Sequence, residues 1–213
     1  HTLFPYTTLF RSSFQTAHHD LWDYDNGSQP VLIDAQTEAG AVPALILPTK
    51  MGEVYLLDRR DGAPLTKVEE RPAPAGDIPG ERYSPTQPWS TGMPNFAKEP
   101  LFEKDMWGAT PLDQLWCRID FKSMRYQGRY TPPSTVRTLQ FPGNFGVIDW
   151  GSVAVDLDRN IMIVNTSAMP QHVQLVPRAE AEKRPMSDLK KGHLGLSPQS
   201  GTPYAVVSCS ARG

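Results

Sequence analysis

Short runs of apolar, strand-forming residues separated by turn residues dominate the hydrophobic pattern of the chain. A first group of runs comprises residues 44–49, 53–58 and 64–70. Because glycine and charged residues bound these runs, they predict a meander of short antiparallel strands. A second group comprises residues 150–156, 161–164 and 173–176. It predicts a further hairpin across a polar turn, followed by a weaker strand.

The stretch between the two groups, residues 71–140, is rich in proline and aromatic residues and has little periodicity. It is too long for an ordinary connection, so we interpret it as a functional loop insertion that covers one face of the domain. Within it, apolar residues at helical spacing predict a short helix over residues 105–121. Trp107 and Trp116 in this stretch, and Trp150 after it, are expected to pack in the core or between sheets rather than to stack on a cofactor.

Repeated meanders of this kind predict an all-β chain. Each of the two strand groups closes on a turn that follows an aspartate, as expected for repeated four-stranded sheets, and such sheets occur as blades of a β-propeller. The content of 21 Pro and 16 Gly in 213 residues also favours strands and turns over helices. Two copies do not define a repeat length, so a β-sandwich stays open as the alternative.

The two ends of the chain differ from the rest. Residues 1–12 begin with His1 and have no relation to the remainder of the chain, so we interpret them as a non-native, adaptor-derived segment. Residues 208–213 stop without a terminating element and are treated as a doubtful truncated tail. The domain is therefore assigned to residues 13–207, and the charged residues 179–191 within it predict a solvated loop or helix.

Composition excludes several functional classes. The net charge of −2 argues against a nucleic-acid partner, because phosphate-binding surfaces carry a basic excess. Cys117 and Cys209 lie far apart, without the spacing of a zinc site or a dense disulfide framework. Apolar runs are far shorter than the roughly 20 residues that span a bilayer. The sequence contains no dinucleotide-binding, P-loop or serine-hydrolase motif.

The densest cluster of chemically active residues is residues 18–25, with three carboxylates, two imidazoles and two large aromatics. A carboxylate such as Asp23, between Trp22 and Tyr24, can be desolvated against apolar surface, which makes it a stronger base. The same residues could instead only cap turns. A metal site of His18 and His19 is disfavoured, because adjacent side chains on an extended segment point to opposite faces.

Three further polar residues end strands or form turns. Lys50 ends an apolar strand and could place its ammonium against a carbonyl-bearing cofactor, where negative charge appears on reduction. Asn165 is an amide donor at the end of another strand, and Asn144 is expected to shape a tight turn. From the residues alone, Lys50 and Asn165 could equally be ordinary turn residues.

Together these motifs resemble the membrane-bound quinoprotein dehydrogenases of the glucose, quinate and shikimate family. The matching stretches, in order, are residues 18–25, 47–50 with 57–60, 84–88, 105–110, 113–118, 130–133, 141–144 and 150–151. The similarity extends from about residue 16 to about residue 206. So many ordered motifs over most of the chain are far more specific than any single short pattern.

The resemblance implies an eight-bladed β-propeller, of which this chain would hold roughly three to four blades, and pyrroloquinoline quinone (PQQ) as cofactor. It implies that Asp23 is the catalytic base and that Lys50 and Asn165 bind the cofactor. Asp23 would take the proton of a sugar or polyol hydroxyl while the adjacent C–H delivers hydride to the quinone, and Lys50 would stabilise the quinone oxygen. A Mg²⁺ or Ca²⁺ ion would also act there, with its ligands outside this chain.

The family likeness further implies D-glucose as substrate, gluconolactone as product, ubiquinone as electron acceptor, and a bacterial inner-membrane protein whose catalytic domain faces the periplasm. Quinate or shikimate oxidation is the near alternative, and a non-catalytic propeller that binds partners is the distant one. The family's N-terminal membrane helices and first blades, which carry its metal ligands, have no counterpart in this sequence. We therefore expect the chain alone to fold poorly and to be inactive.

Overall fold

The computed structural model describes residues 12–38, 40–183 and 196–210. All of the predicted adaptor segment except Ser12, and most of the charged stretch 179–191, lie outside the described residues. The strands are β1 (Val31–Thr37), β2 (Gly40–Pro48), β3 (Val54–Asp58), β4 (Val68–Pro72), β5 (Thr86–Ser90), β6 (Thr138–Gln140), β7 (Val153–Asp156), β8 (Ile161–Val164), β9 (Gln171–Pro177), β10 (Leu196–Ser197) and β11 (Tyr204–Ser210). The helices are α1 (Pro111–Ser123) and α2 (Arg178–Ala181), with a 3-10 turn at Glu103–Asp105.

The strands form separate antiparallel sheets. β1, β2 and β3 form a three-stranded sheet, and β10, β11, β9 and β6 form a four-stranded sheet in that order. β4 pairs with β5 and β7 pairs with β8. Among the residues that the structure describes, none of these sheets closes on itself. The predicted all-β class is therefore confirmed, as a series of small meanders.

The predicted apolar runs 44–49 and 161–164 correspond to β2 and β8. In β2, Ala44, Ile46 and Pro48 are buried while the residues between them are partly exposed, which is the period of two that a half-buried strand requires. β8 has its predicted bounds. β4 starts four residues later than predicted, although Pro64 still bridges to Leu57 of β3.

The interpretation of residues 71–140 as a loop insertion was only partly right. The stretch is largely irregular, but it contributes β5, whose Pro88 pairs with Glu70, and β6, which extends the four-stranded sheet. β5 was missed because its short, proline-interrupted sequence has no alternation of its own. Pairing with β4 is what makes it a strand.

The predicted helix over residues 105–121 exists, but α1 begins at Pro111. Thr110 caps it by accepting a hydrogen bond from the Asp113 backbone N–H, and Pro111 occupies a position where no donor is needed. The apolar residues that predicted the helix are exposed, and the opposite side of α1 packs on a cluster that contains Leu139 and Phe141.

The expectation that three tryptophans pack in the core is wrong for the described residues, and their packing between sheets of the whole propeller stays a prediction. Trp107, Trp116 and Trp150 are 61%, 71% and 85% exposed, because no described part of the chain covers the surfaces on which they lie. The buried tryptophan is Trp22, which packs with Tyr24, Met51 and Tyr130. This core joins the loop of residues 18–25 to the turn that follows β2, and so it positions the candidate site.

Candidate functional site

The loop of residues 18–25 is organised by the side chain of Asp20. Its two carboxylate oxygens accept hydrogen bonds from the backbone N–H groups of Trp22, at 2.8 Å, and Tyr24, at 2.6 Å. An aspartate that binds the backbone two residues ahead stabilises a tight turn. Asp20 therefore shapes the loop, as the alternative interpretation of this cluster allowed, and it orients the residue between its two partners, Asp23.

Distant parts of the chain hold the same loop. The Trp22 indole N–H donates to the Thr131 carbonyl at 2.8 Å, and the Tyr24 hydroxyl donates to the Pro142 carbonyl at 2.7 Å. The Gln140 amide donates to the Trp22 carbonyl at 2.5 Å. The aromatic side chains on both sides of Asp23 are thus buried and hydrogen-bonded, while the Asp23 side chain is 64% exposed.

Lys50 lies beside Asp23. Its ammonium Nζ donates to the Asp23 backbone carbonyl at 3.1 Å and approaches the Asp23 carboxylate at 3.4 Å. It also forms a close ion pair with Asp25. The Lys50 side chain is only 9% exposed and its ammonium has little water around it, whereas the Asp23 and Asp25 side chains are 64% and 62% exposed. Asp25 belongs to the predicted cluster, but no pattern in the sequence pairs it with Lys50.

The backbone at the site has two special conformations. Asp23 adopts φ of +65°, a left-handed conformation that is unusual outside glycine, although aspartate tolerates it. Gly146 adopts φ of +75°, and a Cβ there would lie 2.6 Å from the Lys50 Cγ. Because Val147 also donates its N–H to the Lys50 carbonyl at 2.7 Å, the 146–147 segment forms the wall against which Lys50 packs.

The pKa values of the Asp23 carboxyl and of the Lys50 ammonium are both raised. Desolvation raises the pKa of the Asp23 carboxyl, Lys50 opposes this, and the charges of Asp25 and Asp20 add to it. Desolvation lowers the pKa of the Lys50 ammonium, but hydrogen bonds and charges from Asp25 and Asp23 outweigh it, so the net pKa is raised. The arrangement therefore combines a persistent cation with a carboxylate that is a stronger proton acceptor than a free aspartate.

The two histidines of the loop are directed apart. The His18 Nε2 lies 2.8 Å from Glu70, and the His19 Nε2 lies 3.1 Å from Glu81. The two imidazoles therefore contact different carboxylates. Over residues 12–38, 40–183 and 196–210, no group of three or more His, Cys, Asp or Glu side chains could hold a metal ion. Ligands for Mg²⁺ or Ca²⁺ outside this chain stay a prediction.

A cleft of about 490 Å³ opens next to the loop, and Asp23 lies in its wall. Asn144 also lines it and lies in the predicted turn, which a 2.9 Å hydrogen bond from the Gly146 N–H to the Gly143 carbonyl closes. Asn165 follows β8, is exposed, and does not line the cleft. Its predicted contact with a cofactor stays a prediction.

The residues present fit one side of a quinone site. Lys50 is a cation next to a carboxylate, and the Oδ1 atom of Asn144 is buried without a hydrogen-bond partner among the described residues, so the cleft wall holds unused polar capacity. Lys50 could face the carbonyl oxygen of a cofactor that becomes anionic on reduction. In the part of the chain that the structure covers, no helix is long and apolar enough to cross a membrane.

Comparison with known proteins gives the family. The family model described as the glucose/ethanol/alcohol dehydrogenase β-propeller domain, PQQ, matches residues 10–211. The chain is 49% identical over 205 residues to the glycerol dehydrogenase large subunit of Gluconobacter oxydans strain 621H. This alignment covers 91% of the chain and 28% of the relative. It is 47% identical over 197 residues to the quinate/shikimate dehydrogenase (quinone) of Acinetobacter baylyi, with 91% and 24% covered.

A third relative, the quinoprotein glucose dehydrogenase of Escherichia coli K12, is 43% identical over 198 residues, with 92% of this chain and 25% of the relative covered. The chain thus spans about a quarter of the length of these relatives. The separate meanders of the structure are the expected form of a partial propeller, so the predicted propeller fold is confirmed over the sandwich alternative. The chain belongs to the PQQ-dependent glucose/ethanol/alcohol dehydrogenase β-propeller family.

Proposed function

We propose that this chain supplies the catalytic base, Asp23, to a PQQ-dependent dehydrogenase that oxidises a hydroxyl group of a sugar or polyol. The observation that carries this proposal is the geometry of Asp23. An exposed carboxylate is held in a left-handed backbone conformation in the wall of a cleft, 3.4 Å from a nearly buried lysine ammonium. Such strain at a cleft-lining carboxylate is typical of functional residues.

In this mechanism Asp23 accepts the substrate hydroxyl proton at its carboxylate, whose basicity desolvation increases. A bound quinone would supply the electron-accepting carbonyl carbon to which the substrate hydride passes. The Lys50 ammonium holds Asp23 through its backbone carbonyl and stabilises negative charge that develops on an oxygen next to it. Asp25 fixes Lys50 in place, and the buried Trp22 and Tyr24 keep the base from turning away. Asn165 is proposed as a further cofactor contact.

Within this class we propose an aldose such as D-glucose as substrate, with gluconolactone as product. Electrons would pass to ubiquinone in a bacterial inner membrane, with the catalytic domain facing the periplasm and a Mg²⁺ or Ca²⁺ ion bound by residues outside this chain. The names of the relatives add glycerol and quinate or shikimate as candidate substrates. A non-catalytic propeller module is disfavoured, because such a module would have no use for the Asp23–Lys50–Asp25 arrangement.

The test uses the full-length dehydrogenase that we propose contains this chain, loaded with PQQ and Mg²⁺, in a dye-linked assay with D-glucose, quinate and glycerol. The Asp23→Asn enzyme should turn over the preferred substrate about 10²- to 10⁴-fold more slowly, because it cannot accept the proton. Quinone binding, followed by fluorescence titration, should be unchanged. Asp34→Asn on the exposed strand β1 is the matched control and should behave as wild type. Unchanged turnover by Asp23→Asn would refute the assignment.

A further inference from the structure

Three of the amide side chains that line the cleft lie in β6, in the turn that follows β6, and in β9: Gln140, Asn144 and Gln171. Two of them are almost completely buried and serve the protein itself. Gln140 is 4% exposed and holds the Trp22 carbonyl, while Gln171 is 5% exposed and accepts a hydrogen bond from the Asn144 backbone N–H at 3.0 Å. These two amides fix the backbone on both sides of the cleft.

The third amide is different. The Oδ1 atom of the Asn144 side chain is buried and has no hydrogen-bond partner among the described residues. A buried carbonyl oxygen without a hydrogen-bond partner costs free energy, so it calls for an explanation such as a catalytic role or a bound water, ion or ligand. Asn144 is also held in place from both ends, because the Gly143 N–H donates to the Met169 carbonyl at 3.1 Å and the Gly146 N–H to the Gly143 carbonyl at 2.9 Å.

The chemistry of an amide matches one group in particular. A carboxamide offers both an acceptor and donors, and a hydroxyl group both donates and accepts. Asn144 shares the cleft with Asp23, to which a substrate hydroxyl must come if the proposed function is right. Sugars and polyols carry further hydroxyl groups on neighbouring carbon atoms, so a substrate held at Asp23 extends at least one more hydroxyl into the cleft.

We propose that the Asn144 amide binds a second hydroxyl group of the substrate, and that it thereby contributes to the preference for polyhydroxylated substrates. This inference rests on the proposed function for its choice of substrate. An N–H donor of the cofactor is the other source of the same hydrogen-bonding chemistry. The test separates the two, because a contact to the substrate affects substrate binding alone, whereas a contact to the cofactor affects quinone binding.

The first experiment compares Asn144→Leu with wild type in the full-length, PQQ-loaded enzyme, using whichever of D-glucose, quinate or glycerol is turned over fastest. We expect KM to rise about tenfold to a hundredfold, because the bound substrate hydroxyl loses its hydrogen-bond partner in the protein. The kcat should change less than about threefold, since proton transfer to Asp23 is untouched. Gln174→Leu, an amide on β9 that does not line the cleft, is the matched control and should have unchanged KM.

The second experiment measures binding without turnover. In the Asp23→Asn background, calorimetry gives the dissociation constant of the same substrates, and fluorescence titration gives that of PQQ. Asn144→Leu should weaken substrate binding about tenfold or more and leave PQQ binding unchanged, and Asn144→Asp, which keeps an acceptor oxygen, should lose less.

Weakened PQQ binding would overturn the proposal in favour of a cofactor contact. Unchanged substrate binding in Asn144→Leu would overturn it outright. So would a failure of the enzyme that retains Asn144 to bind any of these substrates. If wild type binds these substrates through Asn144 but does not oxidise them, the proposed function fails and the binding site stands.

Discussion

At the scale of single residues, the site depends on holding the backbone of Asp23 in a left-handed conformation that non-glycine residues seldom adopt. Asp23 has φ of +65°, which costs a non-glycine residue about 1–2 kcal/mol. Hydrogen bonds from the flanking backbone to Asp20, and from Gln140 to the Trp22 carbonyl, hold the loop in this shape. Lys50 adds a contact to the Asp23 carbonyl itself. The side chain that would do the chemistry is thus positioned by contacts of its neighbours.

Removal of the Lys50 charge should move the pH dependence of the enzyme. Lys50 lowers the pKa of Asp23, against the larger effect of desolvation that raises it. In Lys50→Met the pKa of Asp23 therefore rises further, and because the base acts in its deprotonated form, the acidic limb of kcat/KM should shift to higher pH. Activity would fall more at pH 5 than at pH 8. Lys50→Arg keeps the charge and should shift less; an unchanged acidic limb in Lys50→Met would show that Asp23 is not the titrating base.

Gly146 offers a test of how closely Lys50 is packed. A Cβ at this position would lie 2.6 Å from the Lys50 Cγ, so Gly146→Ala should displace Lys50 and lower kcat/KM for the preferred substrate, by about tenfold or more. Gly80→Ala is the matched control, since Gly80 has φ of +82° against +75° for Gly146 but no atom within 4 Å of its Cβ position. Both variants share the backbone strain, and only Gly146→Ala should lose activity beyond it. Equal losses would mean that backbone strain alone is responsible.

At the scale of elements, the turn from β2 to β3 joins the site to a buried group of charges. The Thr49 N–H and hydroxyl donate to the Glu53 carbonyl at 3.0 and 2.9 Å, which closes the turn that carries Lys50. The Glu53 side chain is fully buried and lies 2.8 Å from Arg129, which also pairs with the nearly buried side chain of Glu99. The guanidinium group of Arg129 stacks on Trp89 at 4.1 Å. The turn that carries Lys50 is therefore anchored to a buried ionic cluster, which packs against Trp89.

Loss of Arg129 should destabilise the domain strongly. Arg129→Met leaves Glu53 and Glu99 as buried carboxylates without a cation, and removal of one partner of a buried ion pair typically costs about 3–5 kcal/mol. The exposed pair of Arg159 with Asp156 is the control, because Arg159→Met should cost less than about 1 kcal/mol. Urea unfolding of the two variants of the full-length protein measures the difference. Similar midpoints for both variants would contradict the importance of the buried cluster.

The element that sequence patterns described least well is α1. Its periodic apolar residues Leu112, Leu115, Trp116 and Ile119 predicted the helix correctly, but in the structure these side chains are 51–78% exposed. A helical period indicates that one side of a helix is apolar without showing what covers it. The side that contacts the chain's own core instead includes Cys117 and Phe121, close to β6.

At the scale of the whole molecule, the described sheets are small and their surfaces are incompletely covered. β4–β5 and β7–β8 are two-stranded, and an isolated two-stranded sheet is marginal in water. Large apolar side chains such as Trp150 and Ile163 are 85% and 64% exposed. In a propeller, such edges and surfaces are covered by neighbouring blades.

We therefore expect residues 13–207 expressed alone to aggregate or to melt without cooperativity, and to be inactive. Size-exclusion chromatography and thermal unfolding of this segment, alongside the full-length protein, provide the measurement. The full-length protein, with its surfaces covered, should show a cooperative transition. A monomeric segment that melts cooperatively and binds one equivalent of quinone would refute this expectation and show that the described sheets suffice.

The sequence by itself determined the features that depend on local pattern or on residue type. Apolar runs bounded by turn residues predicted β2 and β8, and the residues of the 18–25 loop, together with Lys50, pointed to the family and to the base, because such ordered motifs are specific. Only the tertiary structure decided which groups meet. Lys50 reaches Asp25 across 25 residues and Gln140 reaches Trp22 across 118, and such contacts depend on how sheets pack rather than on spacing. Only the structure shows that the buried Oδ1 atom of Asn144 has no hydrogen-bond partner among the described residues, since a missing hydrogen bond becomes visible only when the neighbouring residues are in place.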